Sequence, residues 1–525
     1  MGEVRAPQPR NVVFVLLDSL NRLMLGAWGG TEFETPNLDR FAKRAIRFNN
    51  HYSGSLPCVP ARHDLLCGAW DFLWRPWGSI EIWEEPLTVP LRREGVCTKL
   101  ISDHPHLFES GGENYHVGFA AWDYHRGHEG DPWRTRPDPS WMGAPSFNRG
   151  WMPYDTSRGW FRTEEDFPGP KVMAAATRWL KEEAPANSGR ASLAEFPEGT
   201  DRWDRFLLFI DEFDPHEPFD TPEPYASMYD PAWQGPHMIW PPYMRGAQER
   251  GALTPEQARQ VRAQYGGKLT MIDAWLGRLL DALDPYWNDT AVIITTDHGH
   301  YLGEKDIWGK PPAPAFETMA HIPLMIWWPG AEPCDVDALT TSVDLSATIV
   351  DVFGATFPHR THGRSLVPLI TGEVTSVRDW ALCGVWGREV NLIWDDRKYT
   401  RAPEGANAPL SLWSNRWTTM PVWRYHDLKL PPPDDRAVLD HMPGSKIPVI
   451  RQPFVDGDML PYWAFGPFDG NHLYDLGDDP CEERNLAGSV QEKVASDLLG
   501  DALDEVEAPS DQFERLGFGA RSSSQ

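Results

Sequence analysis

Three segments of this 525-residue chain place acid, imidazole and thiol groups where they could do chemistry. Asp18 follows the apolar run NVVFVLL at 11–17, and Asp297-His298 follow the run AVIITT at 291–296. Two carboxylates and an imidazole form a hard donor set suited to a divalent cation. Such a cation can neutralise an anionic ester and acidify an attacking hydroxyl. Between these segments lies Cys58-Val59-Pro60-Ala61-Arg62, a thiol four residues ahead of a guanidinium that suits oxyanions. Singly, Asp18 reads as a strand-end turn residue, His298 as a packed core histidine and Cys58 as a small apolar filler. Together they read as a site.

These groups need a scaffold that gathers distant strand ends. The runs at 11–17 and 291–296 are continuous and β-branched, the pattern of parallel strands buried on both faces. In open α/β sheets the carboxyl ends of such strands make the ligand-binding edge, which is where Asp18 and Asp297 fall. Further strands are predicted at 205–210, leading into DEFDPHEPF, and at 322–327. Thr254-Pro255-Glu256-Gln257 combines a capping Thr, a first-turn Pro and a Gln three residues past the cap. It predicts a helix with an apolar stripe through Leu269, Ile272, Leu276, Leu279 and Leu280. Shorter helices are predicted over 37–45 and 343–353. This alternation predicts an α/β fold with a doubly wound central sheet. After Gly372 the texture changes, and 402–470 reads as irregular. Residues 1–375 are therefore expected to form the catalytic α/β domain, and 376–525 a smaller C-terminal α+β subdomain closing over the active site.

Seventy-six acidic residues against 49 basic ones give a formal charge of −27. No basic surplus exists to replace phosphate counterions, so no nucleic-acid partner is expected. An anionic ligand would need a local positive centre such as a metal ion. Six cysteines, at 58, 67, 97, 334, 383 and 481, show neither C-x-x-C spacing nor the density of a disulfide framework, and read as reduced thiols. The apolar segment at 11–17 is too short for a signal-peptide core or a membrane span, so a cytoplasmic protein without a membrane partner is expected. Many of the 26 tryptophans fall in Pro- and Gly-rich stretches at 133–160 and 413–423, whose first use is packing irregular chain.

The order of the motifs resembles the sulfatase branch of the alkaline phosphatase superfamily. NVVFVLLDS resembles its first metal-binding strand, CVPARHDLLCG its nucleophile signature, FDPHEPF its P-H-x-P-F segment, and TTDHGHYLGEKDIWGK its second metal-binding strand and lysine loop. HIPLMIWWPG, SVDLSATIVDVFG and LYDLGDDPCEERNLA complete the series. The resemblance implies an alkaline-phosphatase-like fold and a formylglycine (3-oxoalanine) made from Cys58 by a formylglycine-generating enzyme. It also implies one divalent metal ion, Mn²⁺ or Ca²⁺, held by Asp18, Asp297, His298 and residue 58; the imidazole tilts the choice toward Mn²⁺. By the same resemblance Arg62 lies one helical turn from residue 58 and holds the hydrated aldehyde, while His216 and Lys310 contact the sulfuryl group and the leaving oxygen.

The departures are as informative. Ser19 stands where many sulfatases carry a second Asp, and Asp297-His298 where many arylsulfatases have Asp-Asn. That pattern is similar to the phosphonate monoester hydrolases of the superfamily, whose resemblance suggests a homo-oligomer such as a tetramer. The G-K-W-H-L-G segment is lost, and Asp103 replaces its lysine, with His104 preferred over His106 as a substrate contact. A carboxylate there would repel a second substrate charge unless paired or turned away. The expected function is hydrolysis of small anionic esters: aryl or alkyl sulfate monoesters, with phosphonate monoesters or phosphodiesters as the alternative. Two rivals remain, a non-catalytic relative that binds an anion or a partner chain, and phosphoryl transfer by unmodified Cys58.

Overall fold

The structure, a computed structural model, describes residues 7–141, 152–184, 203–420 and 433–519. Parts of both Trp-rich stretches lie outside the described residues. The central sheet contains β1 (Asn11–Leu17), β2 (Ile46–Phe48), β3 (Val96–Ser102), β4 (Ala121–Tyr124), β5 (Arg205–Glu212), β6 (Thr290–Thr295), β7 (Leu324–Trp327) and β8 (Asp335–Val336). Its spatial order is β8-β2-β7-β6-β1-β5-β3-β4, parallel throughout except for β7. All seven residues of β1 are buried. Val13, Val15 and Leu17 pack on one face, in a cluster with Leu269, Ile272 and Leu276 of the helix Pro255–Ala282. Val12, Phe14 and Leu16 pack on the other, with Leu65 of the helix Cys58–Cys67 and Leu345 and Ile349 of the helix Ser342–Val352. Burial on both faces explains why the sequence of β1 is unbroken rather than alternating.

The register brings the functional strand ends level. Leu16 lies opposite Asp211 of β5 and Thr295 of β6, and Ser102 of β3 lies opposite Asp211 from the other side. The helix expected after Thr254 begins at Pro255. The Thr254 hydroxyl accepts from the Gln257 N–H at 3.2 Å, and Gln257 Oε1 accepts from the Thr254 N–H at 2.9 Å. The helices expected at 37–45 and 343–353 are Pro36–Ala42 and Ser342–Val352, and the strand expected at 322–327 starts two residues later at Leu324.

Beyond residue 376 the sheets are antiparallel. One joins Trp380–Gly384, Val390–Trp394, Arg397–Arg401 and His472–Asp475; the other joins Leu410–Ser414, Pro448–Phe454 and Val438–His441. The second corrects the reading of 402–470 as irregular. Its strands escape pattern reading because Val438–His441 is mostly exposed and Pro448–Phe454 carries two prolines. Among the described residues no helix is long and apolar enough to cross a membrane.

Candidate active site

Cys58 opens a ten-residue helix, Cys58–Cys67, that is buried along its whole length. Pro60 falls within the first turn, where its missing N–H costs nothing. One turn on, Arg62 is 1% exposed, and its NH1 donates to the carbonyl of Cys58 at 3.1 Å. Its remaining donors go to carboxylates. Nε and NH2 make a bidentate contact with Asp211 at 2.9 and 2.7 Å, and NH1 donates to Asp297 Oδ2 at 2.7 Å. NH2 also lies 2.9 Å from Asp18 Oδ2 without hydrogen-bonding geometry, so that oxygen keeps no hydrogen-bond partner. Arg62 therefore serves here as the shared counter-ion of three buried acids. Sequence reasoning does not single out Asp211, which lies within its strand, whereas Asp18 and Asp297 follow theirs.

The candidate cation ligands converge. Oxygens of Asp18 and Asp297, His298 Nε2 and Cys58 Sγ all lie within 4.8 Å of one another and are buried. His298 Nδ1 donates to the carbonyl of Gly299 at 2.8 Å, which turns the lone pair of Nε2 toward Cys58 Sγ, 3.2 Å away. Burial brings this imidazole down to about 4, so it is a neutral ligand at physiological pH. Gly299 lets the segment pass close to its neighbour: a Cβ there would sit 1.8 Å from the carbonyl oxygen of Thr318. Burial and the nearby Asp297 carboxylate push Asp18 well above the usual carboxylate range, while His298, Arg62 and Lys310 outweigh burial and hold Asp297 below it. An orphaned carboxylate oxygen, a second acid and an oriented imidazole fit a divalent cation. The Cys58 sulfur marks where the oxygens of a modified residue would lie.

Ser19 adopts φ 62°, a left-handed conformation unusual for a residue with a side chain. Its N–H donates to Asp297 Oδ1 at 3.1 Å and its hydroxyl donates to Asp18 Oδ1 at 2.8 Å. Ser19 thus ties the two acids together where a second Asp was missing. Lys310 Nζ donates to the Ser19 hydroxyl at 3.2 Å and to His216 Nε2 at 2.6 Å, and lies 3.8 Å from Cys58 Sγ. His216 Nδ1 donates to the carbonyl of Glu217 at 2.6 Å, so its Nε2 is the acceptor. Burial, reinforced by Lys310, keeps His216 neutral; around Lys310, Cys58, Glu217, Asp18 and Asp297 overcome burial and keep it charged.

His104 Nε2 lies 3.6 Å from Asp18 Oδ2, and neither of its ring nitrogens has a hydrogen-bond partner. His106 is turned away between Glu109 and Glu129, whose carboxylates raise it to about 10 against the effect of burial. Asp103 is also turned back: Oδ1 accepts from the Phe213 N–H at 2.8 Å, and burial next to Asp214 raises its pKa well above the carboxylate range. The repulsion expected from this residue is thereby reduced. A second buried group brings His63 and Cys67, farther along the helix Cys58–Cys67, together with Glu84, where Arg75 bonds Asp71 and Glu84 in an internal ion network.

Residues 10–355 match the family model described as Sulfatase. The multifunctional alkaline phosphatase superfamily protein PehA of Trinickia caryophylli is 27% identical over 437 residues, covering 71% of this chain and 78% of its own. The choline-sulfatase of Rhizobium meliloti is 25% identical over 390 residues, covering 69% and 72%. The crystal structure of a phosphonate monoester hydrolase of Agrobacterium radiobacter aligns over 95% of both chains at 21% identity with a TM-score of 0.62, a likeness of fold. With a family match spanning the strands that carry Asp18, Asp211 and Asp297, the chain belongs to the sulfatase family, the sulfuric ester hydrolases of the alkaline phosphatase superfamily.

Proposed function

We propose that this protein is a divalent-metal-dependent hydrolase of sulfate monoesters, aryl or alkyl, whose nucleophile is formylglycine derived from Cys58. The observation that carries the reading is the convergence of Asp18, Asp297, His298 and Cys58 within 4.8 Å at the head of the nucleophile helix. A cation held by these residues, Mn²⁺ in preference to Ca²⁺, supplies charge neutralisation at an ester oxygen and acidifies the nucleophile. A formylglycine at residue 58 would supply, as its aldehyde hydrate, the oxygen nucleophile and a second hydroxyl whose deprotonation would expel sulfate and re-form the aldehyde. Arg62 keeps Asp18, Asp211 and Asp297 fixed in place. Lys310, charged and hydrogen-bonded to neutral His216, stabilises the departing alcohol oxygen, and His104, 3.6 Å from Asp18 Oδ2, is the substrate contact in this reading.

The unmodified-thiol rival fares poorly. Burial and Asp18 push the Cys58 thiol well above its ordinary value, so little thiolate is present to attack. A non-catalytic relative has no need of an oriented imidazole beside an orphaned carboxylate. Phosphonate monoesters or phosphodiesters form the second reading, favoured by Ser19 and His298 in the ligand region and by the multifunctional Trinickia relative. Further proposals concern the protein's setting: maturation by a formylglycine-generating enzyme, a cytoplasmic homo-oligomer such as a tetramer, and a unit from residue 376 closing over the site.

The test is a panel of 4-nitrophenyl sulfate, phenylphosphonate esters and bis-aryl phosphodiesters assayed on Mn²⁺-supplemented enzyme, with mass spectrometry of the residue-58 peptide. Sulfate turnover with a formylglycine peptide is the expected result. A preference of several orders of magnitude for phosphorus substrates would reverse the ranking, and an intact thiol with no turnover would support the non-catalytic rival.

A further inference from the structure

The buried group at the far end of the nucleophile helix is a second donor set, of different chemistry from the first. His63 and Cys67 stand four residues apart on the helix Cys58–Cys67, so their side chains share one face. Glu84 comes from the chain beyond that helix. A ring nitrogen, the thiol sulfur and a carboxylate oxygen of these three residues lie within 4.8 Å of one another, all buried. His63 Nε2 is 2.9 Å from Glu84 Oε2 and Nδ1 is 3.8 Å from Asp71 Oδ1, yet neither ring nitrogen makes a hydrogen bond. The residue is only 1% exposed, and a buried polar ring left in that state is costly.

Arg75 does not relieve it. Its Nε donates to Asp71 Oδ1 at 2.5 Å and its NH2 to Glu84 Oε1 at 2.8 Å, which engages one oxygen of each carboxylate. The other oxygen of Asp71 has no partner, and that of Glu84 is the one turned to His63. Glu81 adds a third carboxylate, 3.2 Å from Arg75 NH1, so acids outnumber the guanidinium here. A thiolate, an imidazole and a carboxylate together favour a borderline ion such as Zn²⁺ over a hard one. Bonds of about 2.0–2.3 Å to such an ion set its ligand atoms roughly 3.3–3.8 Å apart. The present spread closes to that by small side-chain rotations. With Nε2 on the ion, Nδ1 faces Asp71, the carboxylate-behind-histidine arrangement that orients a metal-binding ring. A cavity of about 310 Å³, lined by His63, Asp71, Trp74, Trp83 and residues 442–447, gives an ion a way in.

We propose that His63, Cys67 and Glu84 bind a Zn²⁺-type cation, separate from the Asp18, Asp297 and His298 set, that pins the segment carrying Glu84 onto the nucleophile helix. Binding sends the Cys67 thiol proton to solvent, together with one from His63 where the ring carries two, and no electron is transferred.

The test uses full-length Cys58→Ala protein, which leaves Cys67 as the only thiol at either donor set. Co²⁺, a spectroscopic stand-in for Zn²⁺, is titrated into the chelator-treated protein. The expected result is a thiolate-to-Co²⁺ charge-transfer band in the near ultraviolet that saturates and is displaced by Zn²⁺. Cys67→Ser in that background should abolish the band, and His63→Gln should weaken the Co²⁺ binding it reports at least about tenfold. Circular dichroism checks the fold of each variant, and either one decides if the other does not fold. No thiolate band, a band that survives Cys67→Ser, or an affinity unchanged by His63→Gln would overturn the proposal. Co²⁺ held by Asp18, Asp297 and His298 absorbs in the visible without a thiolate band, so this site can fail or stand independently of the catalytic metal.

Discussion

Lys310→Met should slow the reaction in proportion to the negative charge on the departing oxygen. The ammonium sits 3.8 Å from Cys58 Sγ, faces an apolar cavity and is held by His216 at 2.6 Å. Its raised pKa makes it a charge stabiliser that stays protonated rather than a donor poised near neutrality. At about 4 Å and an effective dielectric constant near 20, it stabilises a full unit charge by ~4 kcal/mol and about a quarter charge by ~1 kcal/mol. Those figures correspond to losses of roughly 10³-fold for an alkyl ester with a basic leaving group and roughly fivefold for an activated aryl ester. The assay is kcat/KM across 4-nitrophenyl, phenyl and ethyl sulfate, wild type against variant, plotted against leaving-group basicity. The variant's slope should be steeper. His216→Ala should steepen it less, and the double variant should lose less than the two single losses combined, because His216 acts through Lys310. A uniform loss across the series would refute the assignment of Lys310 to the leaving group.

Asp211→Asn removes the bidentate partner of buried Arg62 and should cost about 3–5 kcal/mol, read as a lower urea midpoint; an unchanged midpoint would show that Asp18 and Asp297 suffice. Exhaustive chelation should abolish turnover and lower the thermal midpoint, with Mn²⁺ restoring both, and Asp297→Asn should lose bound metal in direct metal analysis. His51, buried with Nδ1 on the Thr340 hydroxyl, has its pKa lowered by burial to about 3. Since the unfolded chain takes up that proton first, wild type should lose stability relative to His51→Gln by ~1.4 kcal/mol per pH unit as pH falls from about 6.5 toward 3; a pH-independent difference would contradict this. Dianionic 4-nitrophenyl phosphate should be a much poorer substrate than the monoanionic sulfate, and comparable kcat/KM values would be inconsistent with the charge balance set out below.

The parts of the site that were legible were those that follow strand periodicity. β1 and β6 are unbroken apolar runs because both faces of the sheet are covered, so the acids that end them stand out. Asp211 was missed for a definite reason: it lies inside β5, which continues to Glu212, so the run offers several acids and no pattern says which one faces inward. Ser19 looked like a lost ligand because its role depends on a backbone angle, φ 62°, that residue type does not reveal. The three-stranded sheet within 402–470 was hidden by exposed, proline-bearing strands whose pairing is set by contacts distant in sequence.

Charge balance links these pieces to substrate class. Asp18, Asp211, Asp297 and Glu217 bring carboxylates to the site, and only Arg62 and Lys310 among its hydrogen-bonded side chains return positive charge. The neighbouring imidazoles add none, because burial keeps His104, His216 and His298 neutral. Excess negative charge in a buried site is costly, and the raised pKa of Asp18 relieves part of it. A divalent cation would restore the Asp18 carboxylate and offset this excess. A sulfate monoester, a phosphonate monoester or a phosphodiester is a monoanion; a phosphate monoester dianion would bring one more negative charge to this acid-rich site. Asp103, turned onto the Phe213 N–H, stands where the family carries a lysine, so this position offers no positive charge to a second substrate anion. Under the proposed function, sulfur and phosphorus monoanions therefore meet the same electrostatics, and the choice between them would fall to the alcohol half of the ester and the ligand geometry around Ser19.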